Sequence, residues 1–419
     1  MEAPGLTIAG NSNPTNGQLP STMIEEILSR LPVKSLCRFK CVSKPWSSLI
    51  SDNTSFVASH LYKGIGEDKD DLLFRRRRRV IFTDAAGNGL HSMHLDYDDE
   101  FLNHNNEVDA SYDHDNCNRN SFDFDDDDDE VGDSNLLVTT ATELQYVYSE
   151  LSGISVSMLG CCNGLLLCMF LYDPQLYLVN PATRQSKKLP EMPTQYQIDD
   201  RYFCNVYGFG FDSSTHQHKV VNGVIYTDEG VEFDVYTLET NSWRQIPYLF
   251  PYHIYPCRNK GTLLNGNLHW LGTRVIGDDD NHSSSLIVSL ILTEEQEFVR
   301  EMPLPRELNS SQTRRIKLGV FREWLCVTHE DDYDQTTYNE FWVMKEYRVG
   351  KSWTKMRVSI PYWDLSHSGF WTKSHDLMVF GEKLVMYNFN NHSFRNLCVR
   401  GIGKVSSVET YLESLVSPK

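Results

Sequence analysis

The stretch LPSTMIEEILSRLPVKSLCRFKCVSKPWSSLI, residues 19–50, decides the organisation of this chain, because it predicts three short helices in close succession. Thr22 followed by Glu25 matches a capping box, which satisfies free backbone N–H groups at a helix start. Pro32 ends the first helix, because proline lacks an N–H and disfavours a helical residue before it. Pro45 fits the first turn of the third helix, where its missing N–H costs nothing.

Apolar residues recur along this stretch at helical spacing. They are Ile24, Ile27, Leu28 and Leu31, then Val33, Leu36, Phe39 and Val42, then Trp46, Leu49 and Ile50. A unit of about 40 residues rarely holds a self-sufficient core, so these helices cannot bury every apolar side chain against one another. They either form a small cap on the rest of the chain or present part of their apolar surface to a partner. Periodicity alone leaves both interpretations open.

Three motifs carry a family resemblance: Leu19-Pro20, Ile-Leu-Ser-Arg-Leu-Pro-Val-Lys-Ser-Leu over residues 27–36, and Val-Ser-Lys-Pro-Trp over residues 42–46. Over roughly residues 19–61 the chain resembles the F-box, by which substrate receptors dock on the Skp-family adaptor of a cullin-based (SCF) ubiquitin ligase. The resemblance implies adaptor-facing or helix-locking positions for Leu19, Pro20, Ile24, Ile27, Leu31, Pro32, Val33, Leu36, Val42 and Trp46. Such docking suits helix-in-groove recognition, in which a few apolar anchors carry most of the energy.

The composition is that of a globular protein, with 419 residues of which 40% are hydrophobic and 12% aromatic. Residues 1–18 have neither a basic region nor a long apolar run, so we interpret them as a disordered tail and not as a signal peptide. No apolar run approaches the roughly 18 residues of a membrane helix. The ten cysteines include no Cys-x-x-Cys pair, which argues against a zinc site. We expect a cytoplasmic or nuclear protein with reduced thiols and no membrane contact.

The net charge of −18 comes mostly from residues 96–133, which hold 13 Asp, 3 Glu and a single basic residue, Arg119. Like charges this dense repel one another, and little apolar area offsets the entropy of ordering, so the segment is predicted to be disordered. It does not match a calcium loop, because counting from Asp123 the sixth residue is Asp128 instead of the required Gly. We interpret it as a solvated surface loop, with a docking site for a basic partner as the alternative.

The five consecutive arginines at residues 75–79 have three interpretations. They match a nuclear-import signal or an anion-binding patch, although short basic runs often match by chance. They also fit a β-strand whose arginines alternate between two faces. No basic stripe with interleaved aromatics occurs elsewhere, so nucleic acid is not an expected partner.

From residue 136 onward the sequence repeats one pattern: an alternating β run, a polar turn, an aromatic or long polar residue, a basic residue, and in most copies a Pro. The repeated positions are Gln185, Trp243, Phe298, Trp353 and Phe394. Their spacing is near the roughly 50 residues of kelch-type blades. Repeated four-stranded units avoid exposed sheet edges by closing into a ring, which predicts a β-propeller of about six blades. Residues 72–95 are expected to begin a sixth blade, and the segment from Tyr411 onward to supply a strand that closes the ring.

Eight further motifs resemble the plant F-box-associated domain, over about residues 136–418. They are Asn163–Leu165, Asn180–Arg184, Tyr207–Asp212, Ser242–Arg244, Leu268–Trp270, Trp342–Lys345, Ser352–Thr354 and Glu413–Pro418. That domain type follows an F-box directly and is thought to bind the ubiquitination target. We predict an α+β multidomain chain with residues 1–18 as a tail, 19–62 as the F-box, 63–95 as the start of the propeller, 96–133 as an insertion and 134–419 as the propeller domain.

The sequence offers no recognisable catalytic motif, since it lacks a Gly-x-Ser-x-Gly nucleophile elbow. The pairs His216 with His218 and His91 with His94 are spaced loosely enough to touch a metal, but such pairs are far more often surface residues. Two aromatic-rich segments, residues 247–256 and residues 362–371, fit either a binding surface or packing between blades. No cofactor or metal is expected.

We therefore interpret the chain as a non-catalytic substrate receptor of an SCF-type ubiquitin ligase. Its expected partners are a Skp-family adaptor, through it a cullin, and a protein substrate destined for ubiquitination and degradation. The alternative is a scaffold that binds the adaptor without delivering a substrate. A third interpretation, a propeller enzyme, requires a metal or cofactor in the purified protein.

Overall fold

The structure is a computed structural model in which the described residues form four α-helices followed by 26 β-strands. It describes residues 19–65, 77–84, 89–95, 136–145, 147, 155–170, 173–193, 202–227, 229–255, 260–275, 285–293, 299–308, 316–329, 339–360, 365–370, 372 and 374–419. The predicted fold class is confirmed: a short N-terminal helical module precedes a six-bladed β-propeller. The predicted tail (1–18) and acidic insertion (96–133) lie outside the described residues. No helix among the described residues is both long enough and apolar enough to span a membrane.

The helical module, residues 19–65, differs from the predicted three helices by one element. Its helices are α1 (Ser21–Leu28), α2 (Val33–Phe39), α3 (Lys44–Ser51) and α4 (Thr54–Ile65). Pro20 precedes α1 and no side chain caps it, so the predicted capping box of Thr22 and Glu25 is wrong. Because α1 begins at Ser21, Thr22 lies inside its first turn and is not at the capping position. Pro45 lies in the first turn of α3 as predicted.

The fourth helix, α4, is separate from α3. The Asn53 side chain explains the break, because its Oδ1 accepts a hydrogen bond from the Phe56 backbone N–H at 2.9 Å. A side-chain oxygen at this position starts a new helix by satisfying an otherwise unpaired donor. α4 then buries Phe56, His60 and Gly64, which recur every four residues on one face.

The strands follow one another with short connections through most of the chain. They are β1 (Arg78–Asp84), β2 (Leu90–Met93), β3 (Leu136–Thr139), β4 (Thr142–Glu143), β5 (Val156–Cys162), β6 (Leu165–Phe170), β7 (Asp173–Asn180), β8 (Gln185–Lys188), β9 (Tyr202–Asp212), β10 (Gln217–Tyr226), β11 (Gly230–Thr237), β12 (Ser242–Gln245), β13 (Tyr252–Ile254), β14 (Thr262–Leu264), β15 (Asn267–Arg274), β16 (Ser285–Ile291), β17 (Val299–Pro303), β18 (Ile316–Phe321), β19 (Trp324–His329), β20 (Asn339–Met344), β21 (Trp353–Val358), β22 (Leu365–Phe370), β23 (His375–Phe380), β24 (Lys383–Asn388), β25 (Ser393–Val399) and β26 (Val405–Leu412). Single turns of 3-10 helix occur at Arg306–Leu308 and Gly350–Ser352.

Strand pairing divides the strands into six blades. Blade 1 has the order β26-β1-β2-β4, blade 2 runs β5 to β8, and blade 3 runs β9 to β12. Blade 4 contains β13 and β14, both paired with β15, followed by β16 and β17. Blades 5 (β18 to β21) and 6 (β22 to β25) are joined by one parallel pair, Phe321 with Ser368. The expected sixth blade around residues 72–95 is therefore present, as blade 1.

The ring closes through the C-terminal strand. β26 pairs antiparallel with β1, with Val80 opposite Thr410 and Arg79 opposite Tyr411. The predicted closing segment began at Tyr411, whereas the strand runs from Val405 to Leu412 and ends just inside that segment. β3 adds to the far edge of blade 6, parallel to β25, and β4 then pairs with β2 of blade 1. The first and last blades are thus tied at both their inner and outer strands.

Two of the repeated aromatic positions explain part of the repeat pattern. The indole N–H of Trp243 donates to the carbonyl oxygen of Pro190 at 2.9 Å, and the indole N–H of Trp353 donates to Pro303 at 2.9 Å. Each bond joins the outer strand of one blade to a proline at or just beyond the end of the outer strand of the blade before it. Apolar clusters between neighbouring blades fill the remaining space, for example Leu178, Phe209 and Tyr236.

The turns of the blades alternate between two ends of the propeller, since successive antiparallel strands run in opposite directions. The β7–β8 turn lies beneath the helices, because Ala182 packs against their core. The start of β10 lies at the same end, where His218 Nε2 is 3.3 Å from Asn163 Nδ2. We call this the proximal face. The start of β11 lies at the other end, the distal face, and there Val231 pairs with Phe250.

Candidate functional site

The outer side of the helical module carries an exposed row of apolar side chains. Leu19, just before α1, is 55% exposed, and Met23 and Ile27 within α1 are 55% and 51% exposed. Their spacing of four places Met23 and Ile27 on the same side of α1. Val42, between α2 and α3, is 62% exposed. We call these four residues the outer row. A small module that leaves several apolar side chains in water has a surface suited to a partner.

The ten residues predicted from the sequence separate into three groups by burial. Leu19, Pro20, Ile27 and Val42 are exposed; Ile24, Leu31, Pro32 and Trp46 are half-buried; Val33 and Leu36 are fully buried. The two buried residues lock the helices together and are not available to a partner. Trp46 packs edge-on against Phe39, with ring centroids 5.6 Å apart. The rest of the Trp46 side chain is exposed to solvent.

Met23 belongs to the outer row although it was not among the ten predicted residues. It lies midway between Leu19 and Ile27, four residues from each. That spacing was readable from the sequence, but the motif resemblance did not include it. The structure thus adds one apolar side chain to the candidate surface.

The inner side of the module packs on the propeller. Its core contains Leu28, Val33, Leu36, Ile50 and Phe56, and Leu415 from the C-terminal segment is buried among them. The propeller therefore supplies a side chain to the core of the helices. This contact explains how so small a module forms a core, because a residue from the propeller part of the same chain completes that core.

Arg77, the residue before β1, lies at the centre of this junction. Its guanidinium is almost fully buried and donates to three backbone carbonyl oxygens: His60 at 2.5 Å, Ser29 at 2.7 Å and Leu31 at 3.0 Å. These carbonyls come from the end of α1, the α1–α2 turn and α4. One propeller side chain thus ties α4 to the end of α1 and to the α1–α2 turn.

Close packing at the junction also explains why residue 64 is a glycine. A Cβ on Gly64 would lie 2.9 Å from Leu412 Cδ2 and 3.2 Å from Arg77 Nη1. Contacts that short force neighbouring atoms to move. A side chain at this position would therefore require the Leu412 or Arg77 side chain to shift.

His60 is a buried titratable group within the junction. Its Nε2 is 3.0 Å from the Leu31 carbonyl oxygen, which fits a neutral ring that donates there. Burial, and then the nearby charge of Arg77, lower the pKa of His60 to about 4. The residue is therefore neutral near pH 7.

Polar contacts flank the buried centre. Lys63 on α4 bonds to the Glu26 carboxylate and, at 2.7 Å, to Ser29 Oγ. Arg79 Nε donates to Glu413 Oε1 at 2.8 Å, which joins β1 to the C-terminal segment.

Three of the sequence motifs meet at the C-terminal segment, Glu413–Pro418. The Asn180 side chain donates to the carbonyl oxygens of Ser414 at 3.1 Å and Val416 at 2.7 Å. Ser414 Oγ donates to the Asn163 carbonyl oxygen at 2.7 Å. Motifs separated by more than 200 residues thus form one clamp that holds this segment against blade 2.

A comparison with protein families decides the identity of both parts. The F-box associated beta propeller domain matches residues 114–416, and the F-box domain matches residues 17–57. The chain belongs to the F-box-associated β-propeller family. The match to the propeller begins inside the acidic insertion, although the first blade already starts at Arg78. The outer row lies on the F-box.

Relatives with this organisation occur in Arabidopsis thaliana. One F-box/kelch-repeat protein is 27% identical over 96% of this chain and 96% of its own length. The F-box protein CPR1 is 25% identical over 95% of this chain and 88% of its own length. Among solved structures, dipeptidyl peptidase 4 of Porphyromonas gingivalis aligns at a TM-score of 0.29 and 7% identity over 56% of this chain and 44% of that chain. That score is too low to carry an argument.

The two aromatic-rich segments of the propeller have different outcomes. In the loop after β12, Tyr252 and Ile254 are buried and Phe250 is half-buried, so packing accounts for them. Tyr248 is 67% exposed and Leu249 is 44% exposed. Because Phe250 pairs with Val231, these two side chains lie on the distal face. Residues 362–364 and 371, in the second segment, lie outside the described residues.

The arginine run fits the strand interpretation where it is described. Arg77 and Arg78 are buried, and Arg79 is paired with Glu413. Burial lowers the pKa of Arg78 to about 10, and the charge of Asp376 opposes that change. Arg75 and Arg76 lie outside the described residues. An anion patch or import signal that needs all five side chains in solvent is therefore wrong.

Within the part of the chain that the structure describes, no group of three or more His, Cys, Asp or Glu side chains could hold a metal ion. His218, one of the loosely paired histidines, has its Nδ1 3.1 Å from Glu239 Oε1.

Proposed function

We propose that this chain is the substrate-recognition subunit of an SCF-type ubiquitin-protein ligase. Its F-box binds a Skp-family adaptor, which connects it to a cullin, and its propeller holds a protein substrate for ubiquitination and proteasomal degradation. One observation carries the proposal: the outer row stays exposed on a module whose inner side is tightly packed. Family membership supports the assignment, because the F-box over residues 17–57 and the propeller domain over residues 114–416 occur together in this chain.

The chemistry of the outer row suits an apolar groove. Met23 and Ile27 lie on one side of α1, Leu19 lies just before that helix, and Val42 lies between α2 and α3; all four side chains are exposed. Helix-in-groove interfaces are dominated by a few such side chains, which lose contact with water on binding. Trp46 and Leu31, half-buried beside them, serve as partial contacts and as supports for the helices.

The chain itself is proposed to be non-catalytic. It brings the substrate and the ubiquitin-charged enzyme into one complex, which raises their effective concentration. The rate gain comes from proximity and orientation, so no nucleophile or cofactor on this chain is needed. The adaptor-binding side and the substrate side need only be held in a suitable relative position.

We place the substrate on the distal face. Tyr248 and Leu249 are exposed there, and aromatic side chains are favoured anchors of protein interfaces. The F-box covers part of the proximal face around blade 2, whereas Tyr248 and Leu249 are exposed at the opposite end of the propeller. A substrate held there would not compete with the adaptor for space.

The test is co-purification from plant extract with the full chain and point variants. Removing the whole F-box would expose Leu415 and Arg77, so a deletion would damage the propeller as well. Met23→Asp with Ile27→Asp instead places charge in the outer row alone. Val349→Asp is the matched control, because Val349 is a 42% exposed apolar residue of the propeller. The adaptor and cullin should accompany the wild type and the control but not the double variant. Their absence from the wild-type sample would reject the proposal.

A scaffold that binds the adaptor without delivering a substrate is the second candidate. Proteins that bind the propeller should accumulate when the proteasome is blocked if the chain delivers substrates. They should also accumulate in cells that carry the double variant. If their amounts stay constant in both conditions, the scaffold interpretation is correct.

A further inference from the structure

The last residues of the chain leave the propeller sheet and enter the F-box. β26 ends at Leu412, and Glu413–Pro418 then passes between blade 2 and the helices. We propose that this C-terminal segment is a positioning element that holds the F-box in one fixed orientation on the propeller. This role is separate from adaptor binding, because no residue of the segment belongs to the outer row.

The propeller binds the backbone of the C-terminal segment by hydrogen bonds. The Asn180 side chain is fully buried and bonds to two of its carbonyl oxygens, and its own Oδ1 accepts from the N–H groups of Ala182 and Thr183 at 2.9 and 3.1 Å. Ser414 is also fully buried and bonds to the Asn163 carbonyl. Buried polar groups that are satisfied by specific partners fix geometry, because any displacement leaves them unpaired.

A glycine permits this grip. Gly164 has a φ of +80°, and a Cβ there would lie 2.4 Å from Ser414 Oγ and 2.6 Å from the Leu412 carbonyl oxygen. Both the left-handed backbone and the close approach therefore require glycine. The β5–β6 turn is shaped to receive the segment.

The F-box is held from the same segment and from the strand beside it. Leu415 is 5% exposed within the helical core. The Glu413 N–H donates to the Arg77 carbonyl oxygen at 2.9 Å, while the Arg77 guanidinium bonds to three carbonyl oxygens of the F-box. The segment and the start of β1 thus form one paired support with contacts to both bodies.

Among the described residues, Leu415, Arg77 and Asn180 supply the buried contacts that connect the F-box, the C-terminal segment and blade 2. We take these three side chains as the ones on which the fixed orientation depends.

The consequence for ubiquitin transfer rests on the function proposed above. A fixed F-box sets the direction of the distal face relative to the adaptor, and hence which substrate lysines reach the charged enzyme. A loosened segment would leave substrate and adaptor bound while spreading modification over more lysines.

The test measures orientation directly and needs no adaptor. Spin labels are incorporated site-specifically at Lys44, exposed on the F-box, and at Glu382, in the distal β23–β24 turn, and their distance distribution is recorded in the full chain. The wild type should show one narrow peak. Asn180→Ala and Leu415→Ala should broaden it by at least about twofold, because each releases one end of the support. Leu415→Met and Lys419→Ala are the controls and should keep the wild-type width.

Far-UV circular dichroism separates loosening from unfolding. If Leu415→Ala loses helical signal, Asn180→Ala decides, since that change lies on the propeller side. A broadened distribution with intact helices supports the positioning role. An unchanged width in a folded Asn180→Ala variant overturns it. Failure of the wild type to bind an adaptor would reject the proposed function while leaving this result valid.

Discussion

The inner and outer sides of the F-box contain similar apolar residues with opposite surroundings. On the inner side, Val33 and Leu36 are fully buried and pack with Leu415 of the C-terminal segment. On the outer side, Ile27 and Val42 remain more than half exposed. The difference shows which apolar residues the fold uses and which it leaves available. Helical periodicity assigns both groups to the same pattern and cannot separate them.

The largest expected effect comes from the inner side. Leu36→Ala should destabilise the F-box by about 2–5 kcal/mol, because it removes a fully buried side chain and leaves a cavity. Hydrogen exchange of the α2 and α4 amides measures this change. Adaptor affinity should fall with it, since the outer row depends on intact helices. Protection equal to that of the wild type would show that the inner side is not the core.

Acid should weaken the junction through His60. Its pKa in the folded protein is about 4, below the usual value of 6.5, so the unfolded state takes up the proton first as pH falls. Stability is therefore fully present above about pH 6.5 and is lost towards pH 4, by roughly 3 kcal/mol. Hydrogen exchange of α4 as a function of pH measures the loss.

Two histidine variants sharpen that measurement. His60→Gln keeps a donor for the Leu31 carbonyl but does not titrate, so the pH dependence of α4 should flatten. Burial also lowers the pKa of His269, in blade 4, to about 4. His269→Gln should leave the pH dependence of α4 unchanged. Equal flattening by both variants would mean that α4 reports global unfolding and not the junction.

Substitutions on the outer side of the F-box should weaken adaptor binding without lowering the stability of the fold. Ile27→Ala should weaken adaptor binding by about 2 kcal/mol, roughly 30-fold, if it is an interface anchor. Its unfolding midpoint should stay at the wild-type value, because the side chain is already in solvent. Calorimetric titration with the adaptor and thermal unfolding give the two values.

Leu31→Ala and Trp46→Ala are also expected to weaken adaptor binding by about 2 kcal/mol. Both residues are half-buried, so these changes should lower stability as well. They are therefore less decisive than Ile27→Ala. An unchanged affinity in all three variants would show that the adaptor binds elsewhere.

The smallest effect on stability is expected for the exposed Arg30, and the buried Arg77 serves as its comparison. Arg30 pairs with Glu26 at 2.7 Å on the surface of α1, where water screens the pair. Arg30→Ala should therefore leave the thermal midpoint unchanged within error. Arg77→Ala should lower it clearly, because three backbone carbonyl oxygens of the F-box each lose a hydrogen bond from a buried guanidinium. Similar midpoints for the two variants would contradict the central role of the junction.

Much of the fold was readable from local sequence. The helix pattern, the prolines and the spacing of the repeated aromatics predicted a helical module followed by a ring of blades. Prediction from local sequence was less accurate where a single side chain decided where a helix begins. Asn53 caps a separate fourth helix, α4, and Thr22, the predicted cap, lies inside the first turn of α1.

The sequence by itself determined the element types, the repeat and the family, because those depend on residues close together in the chain. Tertiary structure alone decided which apolar residues of the F-box are covered, because their cover includes Leu415, almost 400 positions away. It also decided that Asn163, Asn180 and Ser414 form one clamp, and that Arg77 belongs to the F-box core. Burial depends on which distant segments meet, and local periodicity carries no information about that.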